Sequence, residues 1–185
     1  MVRAVAAIVA LAVTGCSNPD TQVFGGIAGP TGVPNAFIYD VGSAIAGIGT
    51  VKDSQGKPTP ATILIVTDRQ NLCKSIGDHP DYFQNPIEAY VALIMITPPD
   101  RLGSFFAGAA GGSADFLQVT AGPGNQIITY PAGGGSVAVT EFHTEPGGDG
   151  RGNFDLIFAD QAGLGHEVFG KYKTQTCAAL ANATF

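Results

Sequence analysis

Apolar and polar positions alternate with period two through the C-terminal third of the chain. In 152–177, GNFDLIFADQAGLGHEVFGKYKTQTC, Phe154, Leu156 and Phe158 share one face of an extended segment, and Val168, Gly170 and Tyr172 share one face of the next. A Gly-containing turn lies between them, which predicts a hairpin whose second strand runs into Cys177. The same rhythm reaches back to Asp115 and predicts an antiparallel meander with strands near 115–120, 126–131, 136–143, 153–160 and 165–173. Two earlier runs, ATILIVT at 61–67 and EAYVALIMIT at 88–97, are continuously apolar, as strands are when both faces are covered. Shorter strands are predicted over 36–41 and 44–51, with Gly42-Ser43 as their turn. One segment has helical spacing: Leu72, Cys73 and Ile76 fall on one face, Asp68 stands as an N-cap and Gly77 as a stop, predicting a short helix near 68–76. Residues 98–114 read as a long loop that carries Phe105 and Phe106 over a sheet edge or open end. About nine strands and one short helix give an all-β chain, an antiparallel β-sandwich.

Composition supports that architecture. The 185 residues suit one domain, and 26 Gly with 12 Pro spread between short Val, Ile, Thr, Phe and Tyr runs is what many strands joined by many turns require. An apolar fraction of 45% excludes a disordered chain. The net charge of −6, which becomes −7 once Arg3 is removed with a leader, excludes a nucleic-acid binder, and no basic stripe is present to dock on anionic lipid.

The N-terminus changes the picture more. Arg3 precedes an apolar run from Ala4 to Val13, ten residues and too short to span a bilayer, so 1–15 reads as a signal peptide. At its end Val13-Thr14-Gly15-Cys16 resembles the bacterial lipobox, and that resemblance implies a lipid on Cys16 as the first mature residue. Several acyl chains would hold the protein on a membrane. The alternative is plain secretion with cleavage after Ala12 or Gly15, leaving Cys16 a spare thiol. Residues 16–35, with four Gly and three Pro from 17 onward, read as a tether, and 36–185 as the folded domain. Ser17 in place of Asp favours the outer membrane of a Gram-negative envelope, on its periplasmic or its outer side.

With Cys16 assigned to lipid, the simplest arithmetic in an oxidising compartment pairs Cys73 with Cys177; the alternative is two buried thiols. The lipobox, the helix-borne Cys in IVTDRQNLCKSI, the Gly-rich strands, GNFDLIFAD and the final GKYKTQTC together resemble predicted lipoproteins abundant in myxobacteria. Their last strands read roughly G-x-F-D-L-x-F and G-x-F-x-A-x-x-C; Tyr172 and Thr174 depart mildly from that pattern. The resemblance implies a cell-envelope β-sandwich with a helix-to-last-strand disulfide, and no established activity.

Candidate chemistry is sparse. Glu141, His143 and Glu145 alternate along one predicted strand, and His166 could complete a zinc set if its strand were adjacent; a solvated sheet face is the competing explanation. Asp149 to Asp155 has oxygen ligands at alternate places, but Arg151 stands among them, so a Gly-rich hairpin turn explains the stretch better than calcium. Asp78-His79-Pro80-Asp81-Tyr82 reads as a polar loop, and Gly103–Gly112 as a flexible one without phosphate-binding spacing. No G-x-S-x-G and no thiol with a catalytic partner is evident. The expectation is a non-enzymatic binding, coating or assembly module with no cofactor, held to a membrane through Cys16 and facing an envelope protein or polymer. A metal-dependent hydrolytic module and a small-ligand carrier with Phe105 and Phe106 at its mouth are the alternatives.

Overall fold

A computed structural model describes residues 20–30, 34–53, 55–108, 112–120 and 126–185. Cys16 and residues 1–15, read above as a leader, lie outside the described residues. Nine strands are seen among those described: β1 (Gln22–Gly25), β2 (Ser43–Lys52), β3 (Pro58–Thr67), β4 (Tyr90–Thr97), β5 (Gly103–Phe106), β6 (Ser113–Val119), β7 (Ile127–Phe142), β8 (Asp149–Ala159) and β9 (Gly165–Thr176). Helix α1 (Leu72–Asp78) lies between β3 and β4, and a 3-10 helix (Ala178–Asn182) follows β9.

Hydrogen bonding runs β9–β2–β3–β4–β6–β7–β8 and returns to β9, a closed ring of seven strands, with β1 added on β9 and β5 on β7. Strict up-and-down alternation cannot close an odd-membered ring. One neighbouring pair must therefore be parallel, and it is β2 with β9, matched at Ile45 with Gln175 and Ala46 with Thr176. This corrects the expectation of a purely antiparallel sandwich: the sheet is mixed, and its two layers join at both edges. The added strands β1 and β5 have four residues each, so little free edge is exposed.

The interior is filled by side chains of alternating parity from both layers, among them Leu64, Leu93, Phe116, Val137, Leu156 and Val168. Phe116 of β6 meets Phe158 of β8 edge-to-face at 5.8 Å between ring centroids, although those strands share no hydrogen bonds, so the two layers are in contact. A second core lies outside the ring. Ile45, Ile63, Ile65, Ala92, Ile94 and Leu117 point away from the interior and are covered by Leu72 and Ile76 of α1, Tyr82 and Phe83 of the following loop, and Leu180. The runs at 61–67 and 88–97 are continuously apolar because β3 and β4 are sealed on both faces.

The disulfide Cys73–Cys177 fastens this outer layer, tying α1 to the end of β9 across a Cα–Cα distance of 5.6 Å. Cys177 N–H also donates to Ala46 O at 2.7 Å, beside the parallel seam.

Several local expectations are corrected. Asp68 does not cap the helix: its Oδ1 accepts from Val91 N–H at 3.1 Å and latches β4 to the end of β3. The helix starts later, with Asn71 at φ 57° as its cap, and runs through Gly77. No strand forms over 36–41; Ala36 makes only an isolated bridge to Ile27. Strands predicted at 126–131 and 136–143 are one strand, β7, which passes through Gly133–Gly135 with an irregularity at Ala132/Gly134. Asp149–Asp155 is neither turn nor ion loop but the first half of β8. Part of the stretch read as a tether belongs to the fold: β1 pairs with β9 from Gln22 opposite Lys171 to Gly25 opposite Val168, and Ile27 is fully buried. Residues 103–106, read as loop, form β5 against β7, with Phe105 turned to the core and Phe106 to solvent. Tyr82, placed in a polar loop, is fully buried, and its hydroxyl donates to Glu88 at 3.1 Å.

Candidate functional site

The ring is covered on one side only. Over β5, β7, β8, β9 and β1 the outward side chains have no roof among the described residues, and along β8 exposed and buried positions alternate from Asn153 to Ala159. Register lays this open face out in rows that cross all five strands. One row reads Phe106, Ser136, Asp155, Phe169, Phe24. The next reads Ser104, Ala138, Asn153, Lys171, Gln22. At about 4.8 Å between strands, Phe106 and Phe169 are about 14 Å apart, with small side chains of β7 between them.

Three aromatic rings are exposed on this surface: Phe106 at 68%, Phe24 at 50% and Phe169 at 44%. Phe24 and Phe169 stack with their centroids 5.5 Å apart. They floor a trough of about 510 Å³ whose rim includes Gln22, Asn153, Asp155, Glu167 and Lys171. Ile157, half exposed, extends the apolar floor beside Asp155. Beneath it Tyr172 reaches inward from β9 and its hydroxyl donates to Ala138 O on β7 at 2.9 Å. The reach crosses β8 at Gly152, where a Cβ would collide with both the hydroxyl and that carbonyl. The platform is thus braced from within the ring.

The metal candidates fall at the β7–β8 turn. His143 Nε2 lies 3.1 Å from Glu141 Oε1, and its Nδ1 lies 3.7 Å from Glu145 Oε1. Ligand atoms of Glu141, His143 and Asp149 all lie within 4.8 Å of one another. Arg151 enters the same group, its Nε 3.3 Å from Glu141 and a terminal guanidinium nitrogen 3.3 Å from Asp149, so both carboxylates already face a cation. The hydrogen bond that His143 donates to the Glu141 carboxylate, with the fields of Glu145, Glu141 and Asp149 adding to it, raises the His143 pKa above its ordinary value.

His166 does not join this group. It pairs with Phe158, whereas Asp149 pairs with Gln175, nine residues further along β9, about 30 Å away at 3.3–3.4 Å per residue. It contacts Asp160 at 3.0 Å instead and holds that carboxyl below its usual range, helped by backbone N–H groups of Leu164 and Ala162. The structure therefore keeps Glu141, His143 and Glu145 together, takes His166 away from them, and adds Asp149 and Arg151.

A concavity of about 730 Å³ opens at the seam, where β2 and β9 diverge after two parallel matches; Ser43, Asn71, Asp149 and Gln175 are among its walls. No helix among the described residues is long and apolar enough to cross a membrane. No family model, curated protein or solved structure matches the chain.

Proposed function

We propose that this protein is a non-enzymatic binding module of a bacterial cell envelope, carried on a lipid at Cys16 and presenting the open face of its β-sandwich to an envelope polymer or protein. The observation that carries this is the asymmetry of the sheet. One outer face is roofed by α1, a loop and the 3-10 helix and stapled by a disulfide; the other has no cover among the described residues and holds three exposed Phe residues in one cross-strand row. Large aromatic side chains exposed together are disfavoured in water unless something else covers them. The filled interior favours a surface binder over a carrier with an enclosed cavity, and Arg151, already paired with Glu141 and Asp149, weighs against a hydrolytic metal centre. The finer likeness to myxobacterial lipoproteins belongs with this proposal; the Cys73–Cys177 bond is the feature consistent with it.

The test is expression of the full chain in a Gram-negative host, with fractionation and intact mass measurement. The expected product starts at Cys16, carries acyl mass and sediments with the outer membrane, and Cys16→Ser moves it to the soluble fraction. A secreted chain without acyl mass, or a membrane fraction indifferent to Cys16→Ser, would overturn the anchoring.

A further inference from the structure

We infer that the open face binds a neutral polysaccharide laid across the strands, with the Phe24–Phe169 pair and Phe106 as two stacking positions. The inference rests on the binding-module reading above and names its ligand class. A pyranose ring has an apolar C–H face and a hydroxyl edge, and it is held by an aromatic surface with hydrogen-bonding side chains alongside. The platform has both. Phe24 and Phe169 stack into one broad surface, and Asn153, Lys171 and Gln22 follow one another across β8, β9 and β1 in the adjacent row. Both donors and acceptors stand beside the rings as hydroxyl groups need, since Asn153 and Gln22 supply both, Lys171 only donors, and Asp155 in the aromatic row only acceptors when ionised.

Between the two aromatic positions lie Ser136 and Asp155, which keep the path low and polar across about 14 Å. Gly134, opposite Ile157 in the next row, adds no side chain that would obstruct it. Charge selects among polymers. Asp155 and Glu167 against Lys171 leave the trough one negative charge, on a chain of net −6, so an anionic polymer is repelled and a neutral one is not. The half exposure of Phe24 and Phe169 leaves ring surface free to stack.

The test is affinity electrophoresis of the full soluble chain, residues 17–185, in native gels containing hydroxyethyl cellulose, galactomannan, dextran or alginate. Thermal unfolding is followed on every variant. Retardation by at least one neutral polymer is expected, weakened tenfold or more by Phe169→Ala and by Phe24→Ala, with alginate without effect. Phe106→Ala should weaken binding to long chains more than to a matching disaccharide measured by calorimetry. Because Phe169 is half exposed, these variants should unfold close to the parent temperature; Phe169→Leu, which keeps an apolar side chain but no ring, guards against a folding defect and should also lose retardation. No retardation by any neutral polymer, retardation indifferent to the Phe variants, or stronger retardation by alginate would overturn the inference. Capture of an envelope protein through the same face would also overturn it while leaving the binding-module proposal intact.

Discussion

Removing the Cys73–Cys177 bond tests what holds the outer layer. The bond joins residues 104 apart in sequence. A cross-link closing a loop of that size removes unfolded-chain entropy worth about 4.7 kcal/mol at 25 °C in the chain-entropy model, an upper figure. Its anchors do not depend on it in the folded state: Leu72, Ile76 and Leu180 are buried, and Cys177 N–H is bonded to Ala46 O. The effect should therefore fall mainly on the unfolded chain. For a domain of this size 1 kcal/mol moves Tm by about 2–4 °C, so Cys73→Ser/Cys177→Ser should lower Tm by about 9–19 °C, with a steeper urea dependence because the uncross-linked chain exposes more surface on unfolding. Far- and near-ultraviolet circular dichroism of the double variant at 10 °C should match the oxidised parent. A Tm change under about 3 °C would refute the entropic reasoning. Loss of native near-ultraviolet signal at 10 °C would show instead that the layer cannot dock without the bond.

Gly152→Ala should destabilise by about 1–3 kcal/mol through overpacking against Ala138 O and the Tyr172 hydroxyl, whereas Tyr172→Phe, which removes only the hydrogen bond, should cost about 1 kcal/mol; urea midpoints check both. Ile63→Ala, beneath the outer layer, should cost about 2–5 kcal/mol in the same assay despite lying outside the ring. The His143 pKa is raised in the folded chain, so its contribution to stability is present below the unfolded value and lost as pH rises through the folded one. Proton NMR should show His143 titrating above an unfolded-peptide reference, and Glu141→Gln should bring it down. Asp160 has the opposite sign: its lowered pKa contributes above the unfolded carboxylate value and is lost as pH falls through the folded one, and His166→Ala should raise the Asp160 midpoint measured by carbon NMR.

Much of the architecture is legible in local pattern. The alternation Phe154, Leu156, Phe158 marks a strand with one wet face, and the unbroken run from Ala61 to Thr67 marks one with none, because each pattern reports its own burial. The elements that escaped take their stability from distant partners. Gln22–Gly25 has little strand signal of its own and is held by β9, about 150 residues away. Gly133–Gly135 looks like a turn, yet neighbours on β8 keep it extended. Asp68 is well suited to cap a helix, but Val91 N–H, brought beside it by β3–β4 pairing, takes its carboxylate first. The candidate surface was hidden for the same reason. Phe24, Phe106 and Phe169 are scattered in sequence, and only the registers of four strand pairs place them in one row. Glu141 and His143 were legible together because they lie on one segment, while Asp149 and Arg151 join them through the β7–β8 pairing.

The closure of the ring between two strands far apart in sequence also bears on the order of folding. β2 stands well before β9 in the sequence, and the pair that completes the circuit, Ile45 with Gln175, is separated by most of the residues between the first strand and the last. Every other junction in the ring can form between strands that follow one another more closely in sequence. A chain lacking the residues after 174 has no parallel match to finish the circuit. Loop closure over such a span is slow, so the seam should be a late contact, and Cys177, one residue beyond it, is held in its native place beside Cys73 once the circuit is complete. Oxidation then works as a latch on a finished ring.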